Sequence, residues 1–255
     1  MESGSDMGVA VDSSAEPSAT NWRDAYGINH IALIPDGNRR WAREHSLPIA
    51  LGHTKGLMQV MPELVDKLSE AGVHTITVWG FSTENWNREL GEISHLMAIV
   101  VEFLKKRLLE MAERHGARFV HLGRKDRMYP EVRAAIELVE QATLQHRNHV
   151  YNLAFDYGGR DELERAAARM LAAQRAGAAE GELRLQNFLD TAGQPFAEPD
   201  IVVRSSGEHR MSGFMPWQAA YSEVFFVEQY FPDFDFALLG DVARKFRARK
   251  RRFGS

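Results

Sequence analysis

The chain has 255 residues, enough for one large α/β domain with a real core. Hydrophobic residues make up 44%, charged residues 26%, and the formal net charge is −4, which gives no global case for nucleic-acid binding. There is no cysteine, so disulfides and thiolate metal sites are excluded, and no apolar run approaches the roughly 18 residues a membrane span needs. The N-terminus lacks a secretion-signal pattern, and a cytoplasmic location is expected.

In chain order, residues 1–21 are acidic, rich in Ser, Ala and Gly, and are expected to be disordered. A single domain is expected over 22–255. "INHIALIPDGN" reads as a buried strand emptying into a turn that leads to a helix. "GLMQVMPELVDKLSEAG" has helical spacing and stops at Gly72; "VHTITVWGFS" is a second strand. A long helix follows over "GEISHLMAIVVEFLKKRLLEMAERHG", then a third strand, "ARFVHLG", and a helix, "PEVRAAIELVEQATLQH". "HVYNLAFDYGG" is a fourth strand, and "RDELERAAARMLAAQRAG" a helix ending at Gly177. "GELRLQNFLD" reads as a short helix, "DIVVRSS" and "SEVFFVEQ" as the fifth and sixth strands, and a basic helix closes the chain. This alternation predicts an α/β fold with a mostly parallel six-stranded sheet and helices on both faces.

In such sheets ligands sit beyond the carboxyl ends of the strands. The polar clusters fall there: "PDGNRRW", "STENWNR", "DYGGR" and "RSSGEHR". In the first, Gly37 and Asn38 free backbone N–H groups at a helix start, and Arg39, Arg40 and Arg43 follow, a combination suited to phosphate. Asp36 would be repelled by a phosphate unless a cation lay between them, which suggests Mg²⁺. A plain Asx-turn with Asp36 as helix cap is the competing reading. Ser82, Thr83, Asn85 and Arg88 surround Trp86; a helix cap over a core tryptophan explains them equally well. Arg204 and Arg210 flank a Ser-Ser-Gly turn with Ser212 beyond, able to grip a second diphosphate, while His209 and Glu223 are candidate metal partners. The alternative is a solvated loop with an Arg210–Glu208 ion pair. The basic stretch from Arg244 to Arg252 reads either as a solvated helix end or as a phosphate or peripheral membrane contact. No Gly-x-Ser-x-Gly elbow, P-loop or His-Glu-x-x-His site is present.

Taken together, "HIALIPDGNRRWA", "GHTKG", "GFSTENWNR", "NLAFDYGGRDEL", "RSSGEHRMSGFMPWQAAYSEVFF", "FPDF" and "RRFG" come in an order and spacing that resembles the cis-prenyltransferases, the undecaprenyl diphosphate synthase family, from His30 to Gly254. The resemblance implies a fold with an apolar substrate tunnel and a Mg²⁺-dependent homodimer that joins an allylic prenyl diphosphate to isopentenyl diphosphate. By position it implies Asp36 as the metal and diphosphate residue, with Gly37, Asn38, Arg39, Arg40 and His53 at the allylic diphosphate. It places Ser82 and Asn85 at the reacting centre, supported by Trp86 and Arg88. It assigns Arg204, Arg210 and Ser212 to the second diphosphate and His209 and Glu223 to the metal side. Arg252 and Gly254 correspond to an Arg-x-Gly element that reaches the partner subunit's site. Candidate tunnel walls are Ile93, Leu96, Met97, Val100, Val101, Leu104, Val78 and Phe155. The chain departs from the family's common pattern at Pro35, Ile49, Asp156, Gly213 and Pro216. These departures fit a short-chain synthase, or an irregular enzyme that couples two allylic diphosphates such as dimethylallyl diphosphate head-to-middle, with long-chain, undecaprenyl-like synthesis as the third reading. A non-catalytic partner subunit fits less well, because Asp36, Asn85, Arg204 and Arg210 are all retained.

Overall fold

The computed structural model describes residues 21–249. The expected tail, residues 1–20 of it, and the Arg252–Gly254 element lie outside the described residues. Asn21 caps a short helix α1 (Trp22–Tyr26), accepting the Asp24 N–H at 3.1 Å. The strands are β1 (His30–Ile34), β2 (Thr75–Ser82), β3 (Ala117–Leu122), β4 (His149–Tyr157), β5 (Ile201–Arg204) and β6 (Glu223–Phe226). They form one sheet in the order β3-β4-β2-β1-β5-β6, and every pairing is parallel. The sheet is therefore parallel throughout, as near-continuous apolar strands such as HIALI require when both faces are covered.

Helices α2 (Asn38–Glu44), α3 (Ile49–Lys55) and α4 (Met61–Glu70) follow β1, with a π turn at Gly56–Val60 joining the last two. Helices α5 (Leu90–Phe103) and α6 (Leu109–His115) are joined the same way through Leu104–Leu108. Helices α7 (Pro130–Ala142), α8 (Gly159–Arg175) and α9 (Phe236–Ala248) complete the fold. "GELRLQNFLD" is not a helix. Two short 3₁₀ turns, Glu180–Glu182 and Leu185–Phe188, take its place, since Arg184 between them is extended.

One sheet face carries Ile31, Leu33, Ile76, Phe119, Tyr151, Phe155 and Val203, packed under α4, α5, α7 and α9. Burying each large aliphatic or aromatic side chain there contributes about 1.5–3 kcal/mol. The other face is smaller, with Ala32, Ile34, Ala154, Tyr157 and Val202 under Phe214 and Met215. Its floor is polar where Glu162 of α8 accepts Tyr157 Oη–H at 2.5 Å and Gln218 Nε2–H at 3.0 Å. That node ties α8 to the segment that carries Ser212.

Strand polarity decides where function can sit. The chain leaves β1, β2, β4 and β5 at one common edge of the sheet, and those exits bring Asp36, Ser82, Asp156 and Arg204 to one end of the molecule. Strand β1 lies between β2 and the later β5, so the topology switches sides there.

Candidate active site

A charged chamber of about 1550 Å³, open mouth included, occupies that end. Asp36, Gly37, Asn38, Arg39, Arg40, Arg43, Ser82, Asn85, Arg88, Arg204 and Ser212 line it. An apolar cavity of about 880 Å³, mouth included, runs from it beneath the sheet face toward Val65, Phe103, Phe119 and Tyr151. The two spaces share Pro35, Asn38, His53, Trp79, Gly80, Phe81 and Leu96 as walls, so one molecule can occupy both.

The chamber begins where β1 ends. Gly37 has φ +94°, and a Cβ there would lie 2.6 Å from the Tyr230 ring and 2.8 Å from Ser206 Cβ, so this turn needs glycine. Asp36 does not cap α2, whose N-cap is Gly37; its carboxylate accepts the Gly37 N–H at 2.7 Å and Arg204 Nη2–H at 2.8 Å. Burial alone would raise the Asp36 carboxyl. The hydrogen bonds from Arg204 and Gly37 and the charges of Arg204 and Arg40 outweigh it and hold the group below its usual range. Ser205 Oγ accepts the Asp36 N–H at 2.7 Å and donates to its carbonyl at 2.8 Å, fixing the turn.

The "GHTKG" stretch has a steric reason. A Cβ on Gly52 would lie 2.2 Å from the Asn38 carbonyl oxygen, and one on Gly56 would lie 2.7 Å from Asn38 Oδ1. The two glycines let α3 press against the start of α2, which places His53 in the wall of both spaces. His53 Nε2 lies 3.3 Å from Glu92 Oε1. Burial first and the Arg88 charge second push His53 down to about 4 against the pull of Glu92, so it is neutral near pH 7.

Sequence reasoning missed Glu92. It is 11% exposed and gathers His53, Arg88 at 3.0 Å and Arg39 at 3.7 Å. Its only sequence signal is the Arg88–Glu92 spacing of four across a helix start, which is also the pattern of an ordinary surface pair. Ser205 and Ser206 were likewise missed as anchors; Ser206 Oγ accepts Arg40 Nη2–H at 2.6 Å.

Arg204 is the central tie. Its side chain is 7% exposed, with Nη1 donating to the Arg210 carbonyl at 2.5 Å and to Ser212 Oγ at 2.9 Å. Its Nε–H is buried without an acceptor. Ser206, Ser212, Met215 and Asp156 all have positive φ, so strained backbone concentrates around the chamber. Gly213 also has positive φ, +83°, and a Cβ there would meet open space. That departure preserves the backbone: Asn, the family's common residue, and Gly are the types that accept this conformation.

On the β2 side, Ser82 caps the 3₁₀ turn Thr83–Asn87, and Asn85 Oδ1 accepts the Ser82 N–H at 3.1 Å. The capping reading and a place in the chamber wall hold for the same two residues.

Other expected residues stand elsewhere. Arg210 does not line the chamber; it is 59% exposed and paired with Glu208, as the solvated-loop alternative requires. Glu208 also takes Arg40 at 2.9 Å. His209 stacks on Phe226 with ring centres 5.0 Å apart. Glu223 opens β6 level with Ile201 and hence with Ile31, about 10 Å before the strand ends, and binds Arg249. Asp36, His209 and Glu223 are therefore not assembled as one ligand set, and no cluster of three or more metal-ligating side chains occurs among the described residues. The cavity walls also need correction. Leu96, Val100, Val78 and Phe155 line the cavity with Ile99 and Phe103, whereas Ile93, Met97 and Leu104 are buried outside it and Val101, partly buried, packs against the core. The i, i+3, i+4, i+7 face that starts at Leu96 is the one turned inward.

A hard cation suits this donor chemistry once diphosphate oxygens join it. Asp36 offers an ionised, 31% exposed carboxylate in a chamber otherwise rich in donors. Magnesium typically takes one or two carboxylates and completes its shell with phosphate oxygens and water. One carboxylate beside a diphosphate site meets that need.

A parallel α/β sheet whose strand ends hold a charged chamber opening onto an apolar cavity can accommodate a molecule that is charged at one end and apolar along the rest. The comparisons with known proteins agree. The undecaprenyl diphosphate synthase family model matches residues 34–254. The chain is 37% identical over 234 residues to an isoprenyl transferase of Agrobacterium fabrum, covering 89% of this chain and 92% of that protein. It is 37% identical over 237 residues to the ditrans,polycis-undecaprenyl-diphosphate synthase of Pseudomonas aeruginosa, covering 91% and 92%. The crystal structure of lavandulyl diphosphate synthase from Lavandula x intermedia, in complex with dimethylallyl diphosphate, superposes with a TM-score of 0.85 at 30% identity, covering 89% of this chain and 98% of that one. The chain belongs to the undecaprenyl diphosphate synthase family of cis-prenyltransferases. Among the described residues, no helix is long and apolar enough to cross a membrane.

Proposed function

We propose that this enzyme condenses an allylic prenyl diphosphate with a second C5 diphosphate, releases diphosphate, and makes a short-chain product. The continuity of the two spaces carries the reading: a prenyl diphosphate is charged at one end and oily at the other, and the shared walls join one chamber of each kind. Arg39, Arg40 and the backbone around Gly37 and Asn38 grip the allylic diphosphate. Arg204 orients Asp36 and Ser212 between the two diphosphates. As the allylic C–O bond breaks, its electron pair goes to the leaving diphosphate, and the arginines stabilise that charge in a partly dry site. The double bond of the second substrate forms the new C–C bond, and its carbon loses a proton to a diphosphate oxygen near Asn85. Mg²⁺ at Asp36 would supply further positive charge on the leaving group.

The far end of the cavity, walled by Ile76, Tyr151 and Phe119, favours a short chain. Ile76, Tyr151 and Phe119 sit side by side in the sheet register, and Tyr151 Oη is fixed to Ser69 Oγ at 2.7 Å. From Phe81 at the mouth to Ile76 is about 16 Å along β2. Irregular coupling of two allylic units is the second reading, favoured by Ile49 standing at the start of α3 where the family often carries an arginine. A homodimer with the basic tail at the partner's site belongs to the same proposal. It rests on the resemblance of the element holding Arg252 and Gly254 to the family's Arg-x-Gly element.

The test is product analysis with Mg²⁺ and dimethylallyl, geranyl or farnesyl diphosphate, each with and without isopentenyl diphosphate. C10 to C20 products that require isopentenyl diphosphate are expected. Product from an allylic diphosphate alone establishes irregular coupling instead, and long polyprenyl products refute the chain-length reading.

A further inference from the structure

The loop that carries Ser82, Asn85 and Arg88 is fastened from an unexpected side. Asp156 lies at the end of β4, fully buried and at φ +50°. Its carboxylate accepts the Trp86 Nε1–H at 2.9 Å. It also accepts two hydrogen bonds from Arg127, Nε–H at 2.7 Å and Nη2–H at 2.5 Å. Trp86 stands edge-on to Phe81, with ring centres 5.0 Å apart at 73°, and Phe81 stacks on Phe155 at 5.1 Å. Phe81 and Phe155 are walls of the apolar cavity, and Phe81 also faces the charged chamber. Tyr129, two residues after Arg127, lies beside the indole with ring centres 6.0 Å apart. Close by, a Cβ on Gly158 would lie 2.6 Å from Thr83 Oγ1, so the end of β4 presses on the same loop.

We propose that Asp156, held by Arg127, is a positioning residue that fixes Trp86 and, through it, the Ser82–Arg88 loop where the chamber meets the cavity. The buried carboxylate has no role in gripping substrate, because it lines neither space. A carboxylate is a stronger acceptor for the indole N–H than an amide, and only a carboxylate takes the guanidinium in a two-point contact. The positive φ restricts the position to residues such as Asn, Asp and Gly. Asp at this position, where the family commonly has Asn, therefore adds an ionic clamp from the β3–α7 loop without changing the backbone.

The proposal rests on the prenyl-transfer reading for its activity readout, and has a second readout that does not. In steady-state assays, Asp156→Ala is expected to lower kcat about tenfold or more while KM for the allylic diphosphate changes less than threefold. Asp156→Asn keeps an acceptor for Trp86 and tolerates the backbone, and is expected to recover kcat to within about threefold of wild type. In a Trp86→Phe background, Asp156→Ala should cost less than twofold further. The Trp86 emission, taken as the wild-type spectrum minus that of Trp86→Phe, should shift to longer wavelength in Asp156→Ala but not in Asp156→Asn. If Asp156→Ala does not fold, Asp156→Gly serves, since glycine accepts φ +50° and still removes the acceptor for Trp86; it should lower kcat only when Trp86 is present. An unchanged kcat and Trp86 spectrum in Asp156→Ala, or an equal loss with and without Trp86, overturns the proposal. An inactive wild type with the spectral shift intact would instead refute the prenyl-transfer reading.

Discussion

Arg204→Lys removes the tie at the centre of the chamber while keeping the charge. The guanidinium reaches three acceptors at once: Asp36 Oδ2, the Arg210 carbonyl and Ser212 Oγ. A lysine ammonium is a point donor on a flexible stem and cannot span that fork. A hydrogen bond to a charged partner contributes about 1.5–3 kcal/mol and each neutral one about 1 kcal/mol. Asp36 is 31% exposed, so solvent relieves part of the loss and the lower end of the range applies. The variant should lose roughly 3 kcal/mol of stability. Its effect on turnover should be larger, because removing a donor aimed at developing charge typically costs about 10²–10³ in kcat. Denaturant midpoints and kcat with KM for both substrates measure the two effects separately. A kcat within threefold of wild type, in a protein of unchanged stability, would refute the reasoning that Arg204 organises the reacting diphosphates.

Gly52→Ala should destabilise the protein by about 1–3 kcal/mol and impair allylic diphosphate binding, since its methyl would stand 2.2 Å from the Asn38 carbonyl and must push α3 off α2; equal melting temperatures and KM values would contradict this. Acid stability should fall early. Burial is the main cause that holds His30 near 3 and His121 near 4, against about 6.5 in the unfolded chain. The unfolded state then binds more protons between pH 6.5 and 4, so stability declines as pH falls through that window and is intact above it. At about 1.4 kcal/mol per pKa unit, the two together should cost about 4 kcal/mol at pH 5. Urea unfolding at pH 7 and 5 measures it, with His53 adding a loss similar to either one's and His121→Gln expected to remove about a third of the total; a flat profile would refute the assignment.

The sheet was readable because strand and helix periods alternate without interruption, and parallel strands buried on both faces carry near-continuous apolar runs such as HIALI. Given the order of strands, the exits after β1, β2, β4 and β5 had to share an end, which is why Asp36, Ser82 and Arg204 were found together. Register was not readable. Glu223 lies only 11 positions after Ser212 in sequence, yet it opens a parallel strand and so sits well before the edge where Asp36 stands. Glu92 was hidden for a different reason: an acid in a first helical turn already has a generic explanation in the helix dipole, and only the fold reveals His53 and Arg39 across from it. Of the cavity face of α5 only Leu96 and Val100 were placed correctly, because a helix apolar on several sides does not say which side meets empty space.

The central claim is that one molecule, charged at its head and apolar along its tail, spans the two spaces and reacts there. The most direct measurement is formation of organic-extractable prenyl product, with matching diphosphate release, by the wild type and by Asp36→Ala, using geranyl and isopentenyl diphosphates with Mg²⁺. The account predicts product from the wild type and at least a hundredfold loss, of order the cost of removing one key charge-stabilising group, in Asp36→Ala. Wild-type protein that binds both substrates yet forms no product, or an Asp36→Ala variant that turns over at the wild-type rate, would contradict it.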